Sequence, residues 1–525
     1  MRSTRRPAVK RPTRFAVALA FAASAASTST GTASAGAPET ATPAGRLVYV
    51  TSTQDTITAY DATTGSVVAN IASLGAATAL AFSPDGTTVY ASEPAGDVAV
   101  IDVATNTVLR RISVGSNPQD LAVSADGGTV YVANNYGDSV SVVNTATGTV
   151  RATIPVGWTP EGVAISPDGA NVYVTNVSDG TVSVISTATD TVWTTLTIGD
   201  DTQPTHVVFS PDGHTAYVSD SEAGTVSVVN TTTRAVIATI PAGPSPFGLA
   251  ISPNGAFVYV ADMGGDVSVI NTGTDTVTAT VPVGGAPAEV AVSADGAAVY
   301  VTSFLQTGAA LSVIDPATDT VTGEISGIDL AWGVAVSPLP SVTRLSPAEG
   351  APAGGNQVTI TGVGIGDATG VSFGGVPAAS FTAVSPNGIE AIAPPGAAGL
   401  VDVTVTTPRG TSLVTPADTY DYLGVPTVTG VSPAGGLASG GTVVTIRGTG
   451  FAGATTVSFG STVAAIRSET PTRLVVVAPP GTLHTIVDIT VTTPLGTSAT
   501  GIADEYAYQG LVHVPPTIVP SGPYI

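Results

Sequence analysis

Residues 160–186 read PEGVAISPDGANVYVTNVSDGTVSVIS, and this stretch decides the fold. It contains an apolar run, a Pro-Asp-Gly turn, a Val-Tyr-Val run and a Thr-Val-Ser-Val-Ile run, which predict short strands joined by tight turns. The unit recurs every 41 to 44 residues, marked by a tyrosine at Tyr49, Tyr90, Tyr131, Tyr173, Tyr217, Tyr259 and Tyr300. About forty residues in four strands is typical of a propeller blade, so the sequence predicts seven blades.

The turn acids are interpreted as turn formers. Ser166-Pro167-Asp168-Gly169 has proline at the second turn position and glycine at the fourth, the chemistry of a hairpin turn. Asn254 stands where the other turns carry aspartate, and a set of metal ligands would tolerate that exchange poorly.

The two ends of the repeat indicate how the ring closes. The first unit begins directly at its tyrosine strand, Leu47-Val48-Tyr49-Val50, without the strand that precedes it in other units. Residues 333–338 have that opening pattern, with no further strands of a unit behind them. We therefore expect residues 333–338 to complete the first blade and close the ring, which protects strand edges.

These repeats resemble the bacterial extracellular YVTN-type propellers, whose Tyr-Val-Thr-Asn motif stands here at residues 173–176. The resemblance covers residues 46–338 and implies a secreted or surface protein with a binding role. Some related propellers are enzymes, including lactonases, streptogramin lyases and copper reductases.

A second, longer repeat follows the propeller. Residues 347–362 match residues 433–448 at an offset of 86, and each copy ends in alternating Val, Thr and Asp residues. Short alternating strands over about 80 residues predict an immunoglobulin-like β-sandwich. Both copies resemble IPT/TIG domains, which implies spacer or adhesive modules. The predicted fold is all-β, a seven-bladed β-propeller followed by two immunoglobulin-like sandwiches.

The N-terminal segment predicts that the protein is exported. Six basic residues precede a short apolar run and an Ala33-Ser34-Ala35 cleavage pattern, typical of a signal peptide. The predicted organisation comprises a signal peptide at 1–35, a linker at 36–45, the propeller at 46–338, IPT/TIG domains at 340–423 and 426–508, and a proline-rich tail at 509–525.

Net charge and composition exclude some classes of binding partner and some kinds of chemistry. After the signal peptide the chain carries ten basic and 38 acidic side chains, a net charge of −28. Such a surface repels phosphate backbones, so we expect no nucleic-acid partner. Cysteine is absent, which excludes disulfides and thiol chemistry. We expect a monomer with no membrane span in the mature chain, either free outside the cell or associated non-covalently with the cell envelope.

The opening strands differ from blade to blade at their first residues. These residues are predicted to surround the mouth of the central channel, and they are Asp120, Glu161, His206, Phe247, Glu289 and Trp332. Because they come from two adjacent register positions, we expect about half to face the channel and half to pack between blades. Two interpretations stay open, ligand binding with His206 as acid or base and ordinary sequence variation at loop edges.

The sequence favours a binding function over a catalytic one. Only four histidines occur, and no two have metal-ligand spacing, so we expect no metal and no cofactor. The chain also lacks a Gly-x-Ser-x-Gly motif, and no catalytic residue is assigned. The first hypothesis is a secreted, non-enzymatic binding, adhesion or scaffold protein whose propeller face contacts an extracellular glycan or protein. The alternative is a lactonase- or lyase-type enzyme acting at the channel mouth.

Overall fold

The computed structural model describes residues 46–199, 202–304, 310–325 and 330–510. The predicted signal peptide and linker, and nearly all of the predicted tail, lie outside these ranges. The described chain is all-β, with seven four-stranded antiparallel sheets followed by two β-sandwiches.

The seven sheets are the blades, numbered here so that blade 1 contains Tyr49. From blade 1 to blade 7, the inner strands are Ala331–Val336, Leu80–Phe82, Pro118–Val123, Pro160–Ile165, Pro204–Phe209, Pro246–Ile251 and Pro287–Val292. The second strands are Leu47–Ser52, Thr88–Glu93, Thr129–Asn134, Asn171–Asn176, Thr215–Asp220, Phe257–Asp262 and Val299–Ser303. The third strands are Thr56–Asp61, Asp97–Asp102, Ser139–Asn144, Thr181–Ser186, Thr225–Asn230, Asp266–Asn271 and Leu311–Asp315. The outer strands are Val67–Ala72, Thr107–Ser113, Thr149–Pro155, Thr191–Thr197, Ala235–Pro241, Thr276–Pro282 and Thr320–Ile325.

The position of a strand in its blade explains its composition. Second and third strands are buried on both faces because neighbouring blades pack against each sheet, and they read as nearly continuous apolar runs. Outer strands alternate between exposed residues, many of them threonines, and aliphatic residues that are half-buried or buried. The repeated tyrosine packs towards the next blade, and the ring of Tyr173 meets Phe209 edge-on at 4.8 Å. The cores therefore lie between blades.

The ring closes by pairing its two ends. The strand Ala331–Val336 lies antiparallel to Leu47–Ser52, with Tyr49 opposite Ala335. The pairing continues at Ser337, whose backbone N–H donates to the carbonyl of Leu47 at 2.8 Å. Blade 1 thus takes its inner strand from the far end of the propeller sequence.

The acidic turn residues make local hydrogen bonds. Asp168 Oδ1 accepts a bond from the Ser166 hydroxyl at 2.5 Å and another from the Ala170 backbone at 3.0 Å. Asn254 accepts the equivalent bonds from Ser252 and Ala256 through its side-chain oxygen. An amide serves this turn as well as a carboxylate does, which supports the turn-forming interpretation.

The two sandwiches repeat each other. The strands of the first are Ser341–Ser346, Glu349–Gly350, Gln357–Val363, Gly370–Phe373, Val376–Pro377, Ser380–Ser385, Gly388–Ile392, Gly399–Thr407, Gly410–Thr411 and Thr419–Tyr422. Those of the second are Thr427–Ser432, Gly435–Leu437, Val443–Thr449, Thr456–Phe459, Thr462–Thr470, Arg473–Val477, Ile486–Thr493, Gly496–Thr497 and Glu505–Gln509. Each core contains a chain of three aromatic rings in edge-to-face contact, Phe373, Tyr420 and Tyr422 in the first and Phe459, Tyr506 and Tyr508 in the second.

Helical structure is limited to three short 3₁₀ turns within the described ranges, Asn135–Gly137, Val177–Asp179 and Pro416–Asp418. No helix in the described part of the chain has the length and apolarity needed to span a bilayer.

The first sandwich contacts the propeller at the turn that follows the inner strand of blade 2. A Cβ atom placed on Gly86 in that turn would lie 3.4 Å from Arg409 Cδ. A Cβ atom placed on Gly364 of the sandwich would lie 2.9 Å from the carbonyl oxygen of Asp85. Arg409 also donates to the carbonyl of Gly364 at 2.7 Å, which anchors its side chain within the sandwich.

Candidate functional site

The first residues of the inner strands surround one cavity at the mouth of the central channel. The cavity measures about 10 Å³, which is room for about one water molecule. It is lined by Thr78, Ala79, Gln119, Asp120, Glu161, His206, Phe247, Glu289 and Trp332.

All six residues singled out from the sequence line this cavity. The expectation that about half of them would pack between blades is wrong, and the reason lies in the residue that follows each of three of them. Glu161, Phe247 and Trp332 stand one position earlier in their strands than Asp120, His206 and Glu289, and each is followed by glycine, at Gly162, Gly248 and Gly333.

These glycines let a neighbouring inner strand approach closely. A Cβ atom placed on Gly162 would lie 2.5 Å from the carbonyl oxygen of Thr205 and 2.7 Å from His206 Cα. The same relation holds between Gly248 and Glu289, whose Cα would lie 2.8 Å away. In these two cases, a blade with its large side chain at the earlier position is followed by a blade with its large side chain at the later one. The two registers therefore converge on one cavity.

Hydroxyl side chains of the second strands link neighbouring inner strands by hydrogen bonds at the channel mouth. In blade 4, Thr175 Oγ1 accepts the N–H of Gly162 at 2.8 Å and donates to the carbonyl of Thr205 in blade 5 at 2.7 Å. This arrangement bonds one inner strand to the next through a single side chain. The residues that make it in four blades are Ser92, Thr175, Ser219 and Thr302.

Asp120 makes the corresponding link from blade 3, where Ala133 replaces the hydroxyl residue. Its carboxylate accepts the N–H of Leu121 and the N–H of Val163 in blade 4, both at 2.8 Å. Burial and the nearby Glu289 carboxylate raise the pKa of Asp120 to about 6, against the opposing effects of His206 and these hydrogen bonds. Asp120 thus has a structural task in addition to its place in the cavity wall.

His206 and Glu289 form an ion pair across the cavity, with His206 Nε2 2.7 Å from Glu289 Oε1. Burial by itself lowers the pKa of His206, but the charge and hydrogen bond of Glu289, with Asp120 and Glu161 nearby, raise it to about 9. The imidazole is therefore positively charged at neutral pH. Its other nitrogen, Nδ1, is buried and has no hydrogen-bond partner within the described residues.

Glu161 supplies a carboxyl group that titrates near neutrality. Burial raises its pKa to about 7; the charge of His206 opposes this rise, and the carboxylates of Glu289 and Asp120 add to it. A group with such a pKa can give or take a proton at neutral pH. The charged imidazole of His206 can stabilise negative charge nearby but cannot serve as a base there.

Aromatic rings form the other side of the cavity. Phe247 packs on His206 with ring centroids 4.9 Å apart and meets Trp332 edge-on at 5.5 Å. Trp332 in turn meets Phe304 at 5.1 Å. This wall leaves the imidazole one apolar side and one acidic side.

The donor set does not form a metal centre. Within the described ranges, no group of three or more histidine, cysteine, aspartate or glutamate side chains is arranged to hold a metal ion. One imidazole and three carboxylates line the cavity together with apolar and amide groups. An excess of carboxylates is unfavourable for a phosphorylated ligand.

Two exposed aromatic residues on the mouth face of the propeller were not predicted from the sequence. Tyr136 lies in the loop after the second strand of blade 3, and Trp158 lies in the connection into blade 4, next to the start of its inner strand. Their side chains are exposed. The sequence could have revealed both residues, because they interrupt the repeat. The corresponding loop positions in other blades carry small residues such as Ala95 and Ser116.

Comparisons with known proteins agree with this architecture. The family model described as lactonase, seven-bladed β-propeller matches residues 40–327, more than half of the chain. The IPT/TIG domain model matches residues 340–422 and 426–508. A search of curated proteins found no match.

Three solved structures are similar to just over half of the chain. Kuenenia stuttgartiensis hydrazine synthase is 24% identical over 53% of this chain and 94% of that one, with a TM-score of 0.48. A functionally unknown protein from Desulfotomaculum acetoxidans is 18% identical over 56% of this chain and 99% of that one, with a TM-score of 0.51, which supports the fold alone. A putative 6-phosphogluconolactonase from Bacteroides uniformis is 20% identical over 55% of this chain and 99% of that one, with a TM-score of 0.48. The chain belongs to the lactonase family of seven-bladed β-propellers and carries two IPT/TIG domains.

Proposed function

We propose that this protein is a secreted, non-enzymatic binding or scaffold protein. The mouth face of its propeller contacts an extracellular glycan or protein, and the IPT/TIG pair acts as a spacer. The observation that carries this proposal is the size of the cavity. A volume of about 10 Å³ admits about one water molecule, whereas binding sites for small organic ligands occupy about 300–1,000 Å³. A ligand therefore contacts the surface around the mouth.

The contact between the propeller and the first IPT/TIG domain supports this use of the mouth face. Arg409 lies against the turn at Gly86, which follows the inner strand of blade 2. The residues that line the cavity in that blade, Thr78 and Ala79, precede the same strand. This domain thus contacts the end of the blade away from the mouth.

The absence of cysteine allows a direct test of which face binds. A single Ala95→Cys substitution places one thiol on the mouth face, in the exposed loop after Glu93. A His214→Cys substitution places one in an exposed turn at the opposite face. Each variant is coupled to a maleimide-polyethylene glycol chain and tested for capture on cell-wall glycans and on surface-protein arrays.

We expect the polymer on the Ala95→Cys variant to abolish capture and the polymer on the His214→Cys variant to leave it intact. Equal capture by both labelled variants would contradict a ligand site on the mouth face. Unlabelled variants serve as controls for folding.

A second candidate function is a lactonase- or lyase-type enzyme at the channel mouth. The observation in its favour is the Glu161 carboxyl, with a pKa of about 7, in the cavity that also holds the charged His206 and its partner Glu289. In lactone hydrolysis, the ionised Glu161 would take a proton from a water molecule as that water attacks the carbonyl carbon, and the imidazolium would stabilise the oxyanion of the tetrahedral intermediate. As the bond from that carbon to the ring oxygen breaks, Glu161 would return the proton to the leaving alkoxide. The cavity would have to widen to admit the reacting group.

A panel of unphosphorylated lactones separates the two functions. Turnover by the parent that falls at least a hundredfold in Glu161→Gln, but not in Glu324→Gln on the exposed outer strand of blade 7, would establish the enzyme and overturn the binding-only proposal. No turnover in the parent, together with capture on the mouth face, is the result expected here.

A further inference from the structure

Exposed aromatic side chains mark one part of the mouth face. Within the described residues of the propeller, seven large hydrophobic side chains are exposed, and four of them belong to outer strands. The other three lie on loops of the mouth face. They are Leu74, Tyr136 and Trp158. Tyr136 is 77% exposed and Trp158 is 61% exposed, so most of each ring surface is available to a ligand.

The loops that carry Tyr136 and Trp158 are bonded to each other. The Asn135 side chain donates to the carbonyl of Pro160 at 3.2 Å, and Asp138 Oδ1 accepts the N–H of Thr159 at 3.0 Å. The flanking residues of the two aromatics are thus in direct contact across the border between blades 3 and 4. The two aromatics therefore lie on adjacent, hydrogen-bonded loops of the mouth face.

The backbone beneath Trp158 is held in a demanding conformation. Thr159 has a φ of 51°, which is unfavourable for a β-branched residue and persists only where neighbouring contacts enforce it. Asp179 Oδ2 accepts the N–H of Trp158 at 2.7 Å, and the Thr159 hydroxyl donates to Ser178 Oγ at 2.7 Å. A loop fixed in this way loses little entropy when a ligand binds.

Blade folding does not require an aromatic residue at either position. The residue two places before the first residue of the inner strand is Trp158 in blade 4, and it is Ser116, Pro244 and Gly285 in blades 3, 6 and 7. The counterparts of Tyr136 are Ala95, Ser178, Glu222 and Gly264 in blades 2, 4, 5 and 6. An exposed aromatic pair that the repeat does not need is a candidate for recognition.

We infer that Tyr136 and Trp158 form a binding platform for a neutral hexopyranose glycan, an assignment that rests on the proposed binding function and names its ligand class. The C–H face of a pyranose ring is apolar and weakly positive, which complements the negative face of an aromatic ring. Hydroxyl groups of the sugar meet acceptors beside the rings, since Asp138 lies on the loop of Tyr136 and Asp179, on the loop after the second strand of blade 4, accepts the N–H of Trp158.

The charge around the two rings and the size of the patch argue against two other classes of ligand, anionic sugars and proteins. Anionic sugars are disfavoured because Asp138 and Asp179 are bonded to the loop of Trp158. The cavity on the same face also holds three carboxylates, and His206 is the one described cationic side chain that lines it. A stable protein partner covers about 800 Å² on each side and uses several buried anchors. Two rings on polar loops match a sugar chain better than an interface of that size.

The test uses the full mature chain on immobilised neutral polysaccharides, namely cellulose, chitin, β-1,3-glucan and starch, with hyaluronate and heparin as anionic comparisons. Trp158→Ala and Tyr136→Ala are compared with the parent and with Trp193→Ala. Trp193 is a matched control because it is an exposed tryptophan on an outer strand of the same propeller.

We expect the parent to bind at least one neutral polysaccharide. Each platform substitution should weaken that binding at least tenfold, and the Trp193→Ala variant should bind within twofold of the parent. Binding should change little between low and high salt because no ion pair is involved.

Several results would overturn the inference: no binding to any neutral polysaccharide, binding only to the anionic ones, or binding unchanged in a Trp158→Ala, Tyr136→Ala double variant. Failure of the inference differs from failure of the proposed function. Capture of proteins on the surface-protein array, blocked by polymer on the Ala95→Cys variant, with no glycan bound, would refute the glycan platform alone. Lactone turnover dependent on Glu161 would refute the binding-only function. Whether Tyr136 and Trp158 bind a glycan would still be decided by the binding of the parent and its variants to the immobilised polysaccharides.

Discussion

The hydroxyl of Thr175 donates a hydrogen bond of 2.7 Å to the carbonyl of Thr205 and so joins the inner strands of blades 4 and 5. The same oxygen accepts the N–H of Gly162 at 2.8 Å. All three groups are largely buried, where an unmade hydrogen bond is costly. The third residue of the Tyr-Val-Thr run therefore stabilises the ring, and it also fixes the strand that carries His206 into the cavity.

A Thr175→Val substitution keeps the shape of this side chain and removes both bonds. It should lower the free energy of unfolding of the propeller by about 1–3 kcal/mol, because a buried N–H and a buried carbonyl lose a partner. Tryptophan fluorescence measures the effect selectively, since all three tryptophans lie in the propeller. Thr191→Val, at an exposed position of the outer strand of the same blade, is the control. Equal stability of the two variants would show that the bridge contributes nothing.

Closure of the ring depends on the strand Ala331–Val336. Replacing these six residues by glycine and serine in the full chain should lower the melting temperature of the propeller strongly, because blade 1 loses its inner strand and the ring opens at Leu47–Ser52. The same replacement of Val67–Ala72, the outer strand of the same blade and also six residues long, removes one ladder but leaves the ring closed. A smaller loss is expected there. An inner-strand variant as stable as the outer-strand one would contradict closure by this pairing.

The pKa of Glu161 makes the stability of the propeller depend on pH. Its value rises from 4.5 to about 7 on folding because burial disfavours the charged form. The folded state thus binds the proton more tightly. The contribution of Glu161 is fully present below pH 4.5 and is lost as pH rises through 7. Asp120 acts in the same direction, with a pKa raised to about 6.

The Glu161→Gln variant resembles the protonated form at every pH and should remove this dependence. We expect it to match the parent at pH 4.5 and to melt at least about 2 °C higher at pH 8, since about 1 kcal/mol shifts Tm by about 2–4 °C in a domain of roughly this size. Glu324→Gln on an exposed outer strand should show no such pH-dependent gain. A Glu161→Gln variant that is less stable than the parent at pH 8 would mean that the ionised carboxylate is favoured in the folded state.

The fold could be predicted from the sequence because every blade repeats the same pattern of strand and turn residues. Strand runs, turn residues and the spare strand before Pro338 could all be identified from neighbouring residues. The contact between His206 and Glu289 could not, because these residues belong to different blades and meet only through the geometry of the ring. Gly162 and Gly248 were visible signs of the two-register arrangement, but their meaning depends on how closely adjacent inner strands approach.

The second sandwich shows a similar limit. Its sequence matches the first at a fixed offset, yet its strands form one continuous sheet because Thr462–Thr470 pairs with both layers. In the first sandwich the corresponding stretch is divided into Val376–Pro377 and Ser380–Ser385. Pro377 lacks an N–H and provides a physical reason for the break. Such a difference in pairing follows from single residues within otherwise equivalent segments.

The tyrosine pair of the first IPT/TIG domain offers a comparison in which only a hydroxyl group changes. Tyr422 donates its hydroxyl to the carbonyl of Pro394 at 2.7 Å, whereas the buried hydroxyl of Tyr420 has no hydrogen-bond partner within the described residues. The two rings are in edge-to-face contact at 5.1 Å. Tyr422→Phe should therefore lower the free energy of unfolding of this domain by about 1 kcal/mol, and Tyr420→Phe should leave it unchanged or raise it.

Urea unfolding of the full chain, followed by near-ultraviolet circular dichroism of the tyrosines, measures both variants against the parent. The second domain supplies an independent repetition, since Tyr508 donates to the carbonyl of Pro479 at 2.9 Å and the hydroxyl of Tyr506 lacks a partner among the described residues. The order of stability should be the same in both domains, with the Tyr422 and Tyr508 variants the weaker. A loss in Tyr420→Phe as large as that in Tyr422→Phe would show that the inner hydroxyl is hydrogen-bonded in solution, because removing an unpaired buried donor cannot destabilise the fold by that amount.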